Sequence, residues 1–471
     1  MEVHAQLLTR SKLFCGDSAA FSTDPNTHIS PITLAHPGTL PKMNAKVIEY
    51  AVKLGLALNC KIEQHNYFAR KNYFYPDLPK GYQVSQHSTP ICKNGFVSIK
   101  VNDAERNIRL NRIHIEEDAG KSLHDVDENY TSIDLNRAGV PLLEIVSEPD
   151  MHSSDEAFAY ITELRKLVTW LDICDGNMEE GSMRCDANIS IRLKGETKLG
   201  IRVEVKNLNS IRNVKRAIDV EVERLIEITD RGEKIIQETR SYDADNNSTF
   251  SLRTKEDADD YRYFPEPDLT PFHVTDDYLQ KIRSSLPALP GALKKRYTTE
   301  FGLSEYDAAV LCDDKYQAGY FEATIEHIHN YKAVANWMLG PVKGHLNDNN
   351  ITYKEFSLPP EKLAALIGMV EEGKLNFGIA SSKVFNALLK HPEKQPMDIA
   401  TELNLIQESD TNSVEFWVDE VIANMPDKVN QYRLGKKGLI GLFAGEVKKL
   451  SKGKADMQIV NTLLDKKLNT K

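Results

Sequence analysis

Residues 181–207 constrain the fold more than any other stretch. They read Gly-Ser-Met-Arg-Cys-Asp-Ala-Asn-Ile-Ser-Ile-Arg, then a turn through 194–200, then Ile-Arg-Val-Glu-Val-Lys-Asn. Both halves alternate with period two, the mark of half-buried strands. Met183, Cys185, Ala187, Ile189 and Ile191 form one apolar face, and Ile201, Val203 and Val205 form another. Lys-Gly-Glu-Thr-Lys between them signals a hairpin with a longer loop. Pairing then sets Arg184, Asp186 and Asn188 beside Arg202, Glu204 and Lys206 on the opposite face. Two carboxylates, two guanidiniums and an ammonium in register suit a divalent ion and phosphate. A charged sheet face turned to water is the plain alternative.

The rest of the chain supplies more of the same chemistry. The first strand, residues 1–8, carries Glu2, His4 and Gln6 on one side and Val3, Ala5 and Leu7 on the other. Residues 107–121 alternate through Ile108, Leu110, Arg112, His114 and Glu116, then reach Glu116-Glu117-Asp118. Three consecutive acids are costly unless cations neutralise them. Residues 139–150 form an apolar strand interrupted by Glu144, and a carboxylate in such a run is either a ligand or a satisfied core group. Residues 70–86, aromatic, basic and Pro-punctuated, read as an ordered loop suited to nucleotide or RNA stacking or to plain anchoring. Residues 14–38 are a polar loop.

Helices are expected at 44–58, at 153–171 behind the capping box Ser153-x-x-Glu156, and at 210–231 before Gly232. Strands mixed with helices make an α+β pattern over residues 1–290, closing on a Pro-laced segment at 260–271. Past the linker 286–291 the character changes: 291–400 read as an all-α domain and 401–471 as a further helical unit.

With 471 residues, 41% of them hydrophobic, the chain has ample material for two or three cores. No apolar run approaches a membrane span, and no secretory or Arg/Ser-rich leader is read at the start. Six scattered cysteines without a CxxC pair suit a reducing cytosol. Net charge is −10, yet residues 431–471 hold ten Lys/Arg against three Asp/Glu. Such a tail is a polyanion-binding appendage or a solvated helical surface. There is no P-loop, no strand-anchored GxGxxG and no GxSxG. Glu, His and Arg on strands point instead to metal-assisted phosphoryl transfer.

Several motifs in order resemble the GatB family, the B subunits of tRNA-dependent amidotransferases. They are Glu2-Val-His-Ala-Gln-Leu, Tyr75-Pro-Asp-Leu-Pro-Lys-Gly-Tyr-Gln, His114-Ile-Glu-Glu-Asp-Ala-Gly-Lys, Gly139-Val-Pro-Leu-Leu-Glu-Ile-Val-Ser-Glu-Pro, Gly181-Ser-Met-Arg-Cys-Asp-Ala-Asn and Tyr263-Phe-Pro-Glu-Pro-Asp-Leu. The resemblance implies an antiparallel-sheet cradle domain of the glutamine synthetase type, an all-α domain and an α-helical YqeY-like tail. It implies a bacterial, cytoplasmic heterotrimer with an amidase A subunit and a small C subunit, and no membrane. That assembly is a carbon–nitrogen ligase with glutamine as amide-nitrogen donor. Its B subunit would use ATP and Mg²⁺ to phosphorylate the side-chain carboxylate of Glu-tRNA(Gln) or Asp-tRNA(Asn), and ammonia would displace the phosphate. A tRNA-binding scaffold without catalysis is the alternative.

Carried over residue by residue, His4, Glu117 and Glu144 match the Mg²⁺ ligands. Glu2, Asp186 and Glu204 fit a second ion or a supporting role. Arg184, Arg202 and Lys206 are assigned to phosphates, followed by Arg70, Lys71 and Lys80. The positions of a zinc knuckle found in many relatives read Cys15, Asp17, Ser30 and Thr33, so no zinc is expected. Relatives also carry an apolar segment before Glu-Val-His. A start codon upstream of Met1 is therefore expected, with the first strand here losing pairing.

Overall fold

The computed structural model describes all residues except 125, 255–260, 407–410, 452–453 and 470–471. It divides into two compact units, Met1–Leu289 and Pro290–Lys471.

The first unit is built on a ten-stranded sheet. Its order is Ser248–Thr254, Glu238–Asp243, Val203–Leu208, Met183–Ile189, Glu2–Gln6, Pro141–Ser147, Ala104–Glu117, Cys92–Lys93, Lys61–Ile62, with Phe96–Val101 paired to the start of the long strand Ala104–Glu117. All neighbours are antiparallel except Val203–Leu208 with Glu238–Asp243, which run parallel. The sheet is thus mixed, against the wholly antiparallel expectation. The parallel pair is possible because the helix Ile211–Asp230 carries the chain back between the two strands.

The hairpin at 181–207 forms, but its strands end at Ile189 and begin at Val203, and a bulge lies between Cys185 and Ala187. Val203 and Val205 are buried, whereas Ile201 is 48% exposed, so it is not part of the inner face. The first strand is paired on both edges, Glu2–Gln6 with Pro141–Ser147 and Glu2–Ala5 with Met183–Ile189. The expected loss of pairing is not seen.

Alternation sorts the sheet into two faces. Val3, Ala5, Ile113, Ile115, Leu143, Ile145, Cys185, Ala187, Val203 and Val205 join one core with Tyr160, Ile161, Leu164, Val168, Val214 and Ala217. Those partners lie on the helices Ser154–Trp170 and Ile211–Asp230. Ser153 caps the first by accepting from the Glu156 amide, and Glu156 accepts from the His152 amide and pairs with Arg106. Ser210 caps the second through the Asn213 amide. The helix Ala45–Ala57 starts on Asn44, as its sequence indicates.

Residues 70–86 are not a loop throughout. Ala69–Asn72 and Tyr82–Ser85 pair as a hairpin, and Phe264–Pro265 adds a third strand. In the early loop, Asp17 accepts hydrogen bonds from Thr33 Oγ1 at 2.5 Å and Cys15 Sγ at 3.3 Å.

The second unit is helical from Pro290–Thr299 onward. Its last part has its own core, with Val414, Val418, Tyr432, Phe443, Val447, Val460, Leu464 and Leu468 in one cluster. Gly441 and Gly445 lie in the helix Ile440–Leu450 with open space where a side chain would stand, so close packing does not explain them. Gly435 has φ +109° after the helix Pro426–Arg433, a conformation glycine adopts at little cost. No helix among the described residues is long and apolar enough to cross a membrane.

Candidate active site

The polar face of the sheet floors a hollow of about 950 Å³ in the first unit. Register explains how residues far apart in sequence meet there. Glu2 lies opposite Asp186, and His4 lies opposite both Glu144 and Arg184. Glu144 in turn lies opposite His114, and Asn188 opposite Glu204.

Two groups result, each with ligand atoms within 4.8 Å of one another: His4, Glu116 and Glu144, and Glu2, Asp186 and Glu204. In the first, Glu144 Oε2 lies 3.5 Å from His4 Nε2 and 3.2 Å from His114 Nε2. Glu116 Oε1 lies 3.1 Å from His114 Nε2 and accepts from Ser85 Oγ at 2.6 Å. Burial alone would lower the His114 pKa, but Glu144 and Glu116 outweigh it and push it up to about 9. His4 is raised as well, because Glu144 overcomes burial. Burial opposes ionisation of Glu144, yet His114 and His4 hold it well below the usual carboxylate range. In the second group, Lys206 Nζ lies 3.0 Å from Asp186 and 4.0 Å from Glu204. Thr239 Oγ1 donates to Glu204 at 2.8 Å, and Asn188 donates to Glu2 at 3.1 Å.

The three consecutive acids part company. Glu116 faces the hollow. Asp118 lines it too, bound by Arg184 at 2.7 Å and by Gln6 Nε2 at 2.6 Å. Glu117 is fully buried elsewhere: it pairs with Lys80 at 2.7 Å and accepts the Val84 amide at 2.7 Å. Their neutralisation therefore comes from different protein cations.

Of the residues singled out in sequence, His4, Glu2, Glu144, Asp186, Glu204, Arg184, Arg202, Lys206 and Lys71 line the hollow. Glu117, Lys80 and Arg70 do not. Glu117 shares strand parity with Ile113 and Ile115 on the apolar side, and Lys80 goes with it. Arg70 is held by Glu266 at 2.7 Å and Asp268 at 2.9 Å, next to the sheet of the small hairpin. Arg184 is engaged by Asp118, and Lys206 by Asp186. Lys71, Arg112 and Arg202 line the hollow without an ion pair among the described residues. Sequence reasoning passed over Glu116, His114 and Arg112 as site residues. Their signal was there: Arg112, His114 and Glu116 are spaced by two, on the face opposite Ile113 and Ile115.

A charge-lined hollow over a large mixed sheet, followed by a helical unit, defines a two-part chain with its candidate site in the first unit. The chain belongs to the GatB/GatE family. The model of the GatB/GatE catalytic domain matches residues 1–280, and that of the GatB domain matches 319–468. It is 50% identical to the B subunit of the aspartyl/glutamyl-tRNA(Asn/Gln) amidotransferase of Geotalea uraniireducens, over 100% of this chain and 98% of the other. It is 48% identical to the protein of that name in Nitratidesulfovibrio vulgaris and 49% to the one in Chlorobium limicola, with coverage of 98% or more on both sides.

Proposed function

We propose that the chain is the B subunit of a glutamine-dependent tRNA amidotransferase, acting on Glu-tRNA(Gln), Asp-tRNA(Asn) or both. Full-length similarity to proteins of that name supports the role. The observation that carries the chemistry is the pair of carboxylate groups on one floor, flanked by Lys71, Arg112 and Arg202, which have no ion pair among the described residues. The first unit would serve as a cradle of the glutamine synthetase type.

The donor set fits Mg²⁺. Five carboxylates in two groups are the hard oxygen ligands that such an ion takes, with the His4 imidazole as one softer donor beside them. Bound there, Mg²⁺ would neutralise charge on the transferring phosphoryl group of ATP. His4, Glu116 and Glu144 would hold one ion, and Glu2, Asp186 and Glu204 another. Lys71, Arg112 and Arg202 would steady the phosphate oxygens. Arg184 and Lys206 act one step back, fixing Asp118 and Asp186. The substrate carboxylate resists amines because it is charged and resonance-stabilised. Converting it to an acyl phosphate gives ammonia a leaving group to displace. An amidase A subunit would supply that ammonia from glutamine, a C subunit would complete the cytoplasmic trimer, and the basic tail would hold the tRNA body by its phosphates.

The test uses the trimer assembled with A and C subunits, both mischarged tRNAs, and ATP present or absent. ATP-dependent amide formation, lost in Glu144→Gln while glutaminase activity persists, is the expected result. Amidation independent of ATP, or at the full rate in Glu144→Gln, would contradict it and favour a scaffold role.

A further inference from the structure

A fully buried carboxylate lies behind the floor of the hollow, and the chemistry above does not use it. Glu221, on the helix Ile211–Asp230, has no exposed surface. Arg224 donates to it at 2.5 Å from Nη2 and at 3.0 Å from Nε. Thr249 Oγ1 donates at 2.8 Å, and Arg240 Nε lies 3.6 Å away. Arg240 also donates to Thr249 Oγ1 at 2.9 Å and to Glu238 at 2.7 Å. One network thus ties the helix to the strands Glu238–Asp243 and Ser248–Thr254.

Stability alone is a poor reason for such a network. Desolvation of buried charges offsets much of their attraction, and apolar side chains of similar volume would fill the space at least as well. What directional donors supply is a fixed position, and here they fix a bulge. The register between the two strands shifts between Thr239 and Arg240. Bulges bend a strand and re-aim its side chains. Arg240 turns to Glu221, whereas Thr239 lines the hollow. There Thr239 Oγ1 donates to Glu204 Oε2 at 2.8 Å, while Glu204 Oε1 lies 4.0 Å from Lys206 Nζ. Glu204 belongs to the second carboxylate group, with Glu2 and Asp186. On this side the bulged strand meets Val203–Leu208 through three parallel pairs, with Thr239 opposite Glu204. Parallel pairing is the slightly weaker kind, so the strand gains from an anchor behind it.

We propose that Glu221 is a positioning residue for the second carboxylate group: from behind the sheet it fixes the bulge at Thr239 and Arg240, and through Thr239 it aims Glu204. The inference rests on the reading of that group as an ion site. Glu221 touches neither ion nor substrate. Its effect passes through one hydroxyl, and that makes it separable from a plain contribution to folding.

Mn²⁺ is titrated into the full chain with ATP and followed by electron paramagnetic resonance, in wild type and in Glu144→Gln, whose remaining ion reports the second group alone. In that background Thr239→Val and Glu221→Gln should each weaken the remaining ion about tenfold or more, while Thr239→Ser keeps it. The double variant should bind no more weakly than Thr239→Val, because Glu221 acts through that hydroxyl. Thr249→Val removes the hydroxyl between Glu221 and Arg240 without removing a charge. It should behave as Glu221→Gln does, and it carries the comparison if Glu221→Gln does not fold. The inference is overturned if Glu221→Gln and Thr249→Val lower Tm but leave the ion's affinity unchanged. It is overturned as well if Thr239→Val has no effect, or if the losses from Glu221→Gln and Thr239→Val multiply, which marks a charge effect acting through the sheet. Wild type with no ion in the second group contradicts the two-ion reading, and the positioning role falls with it.

Discussion

Successive residues of a strand point to opposite faces, and at Glu116–Glu117 that alternation separates a carboxylate of the hollow from a structural ion pair. Glu116 reaches His114, Ser85 and the hollow. Glu117 closes on Lys80 away from it. The two substitutions should therefore fail differently. Glu116→Gln removes a charge from the group proposed to hold an ion, so amide formation is expected to fall while the fold persists. Glu117→Gln strands the Lys80 ammonium, which has only 12% of its side chain exposed. An uncompensated buried charge costs about 3 kcal/mol. Thermal melts of the two variants check this: a markedly lower Tm is expected for Glu117→Gln only. The family motif places both acids side by side, so resemblance chose between them without geometry. The parity of Arg112, His114 and Glu116 marks Glu116 as the acid on the polar face.

At the level of elements, capping and periodicity carried the reading furthest. Ser153 caps the helix it was expected to cap, and Asn44 and Ser210, read as the first residues of their helices, stand at the N-caps. Removing the Ser153 side chain in Ser153→Ala should cost about 1 kcal/mol, seen as a modest drop in Tm with unchanged ion binding. A loss of ion binding would mean that this helix does more than cover the apolar face. The 181–207 hairpin was legible because both strands alternate cleanly. The pair Ala69–Asn72 and Tyr82–Ser85 was not, since each strand has four residues, too few to show a period. Nor could the parallel partner of Val203–Leu208 be read, because a 20-residue helix separates the strands and pairing across it leaves no local pattern.

Across the whole molecule, the chain joins a sheet unit that gathers charges to a helical unit with a basic end. The boundary at Leu289–Pro290 lies in the Pro-rich linker that the sequence marks. What no local pattern could supply is the convergence of strands from residues 2–6, 104–117, 141–147, 183–189 and 203–208 on one floor. That convergence is the central claim, and Mn²⁺ titration of the full-length chain with ATP, followed by electron paramagnetic resonance, tests it most directly. Tightly bound Mn²⁺ at both groups is predicted in wild type and in Glu117→Gln, with loss of the ion at the His4, Glu116 and Glu144 group in Glu144→Gln. Equal binding in wild type and Glu144→Gln, or loss in Glu117→Gln with the fold intact, would contradict it.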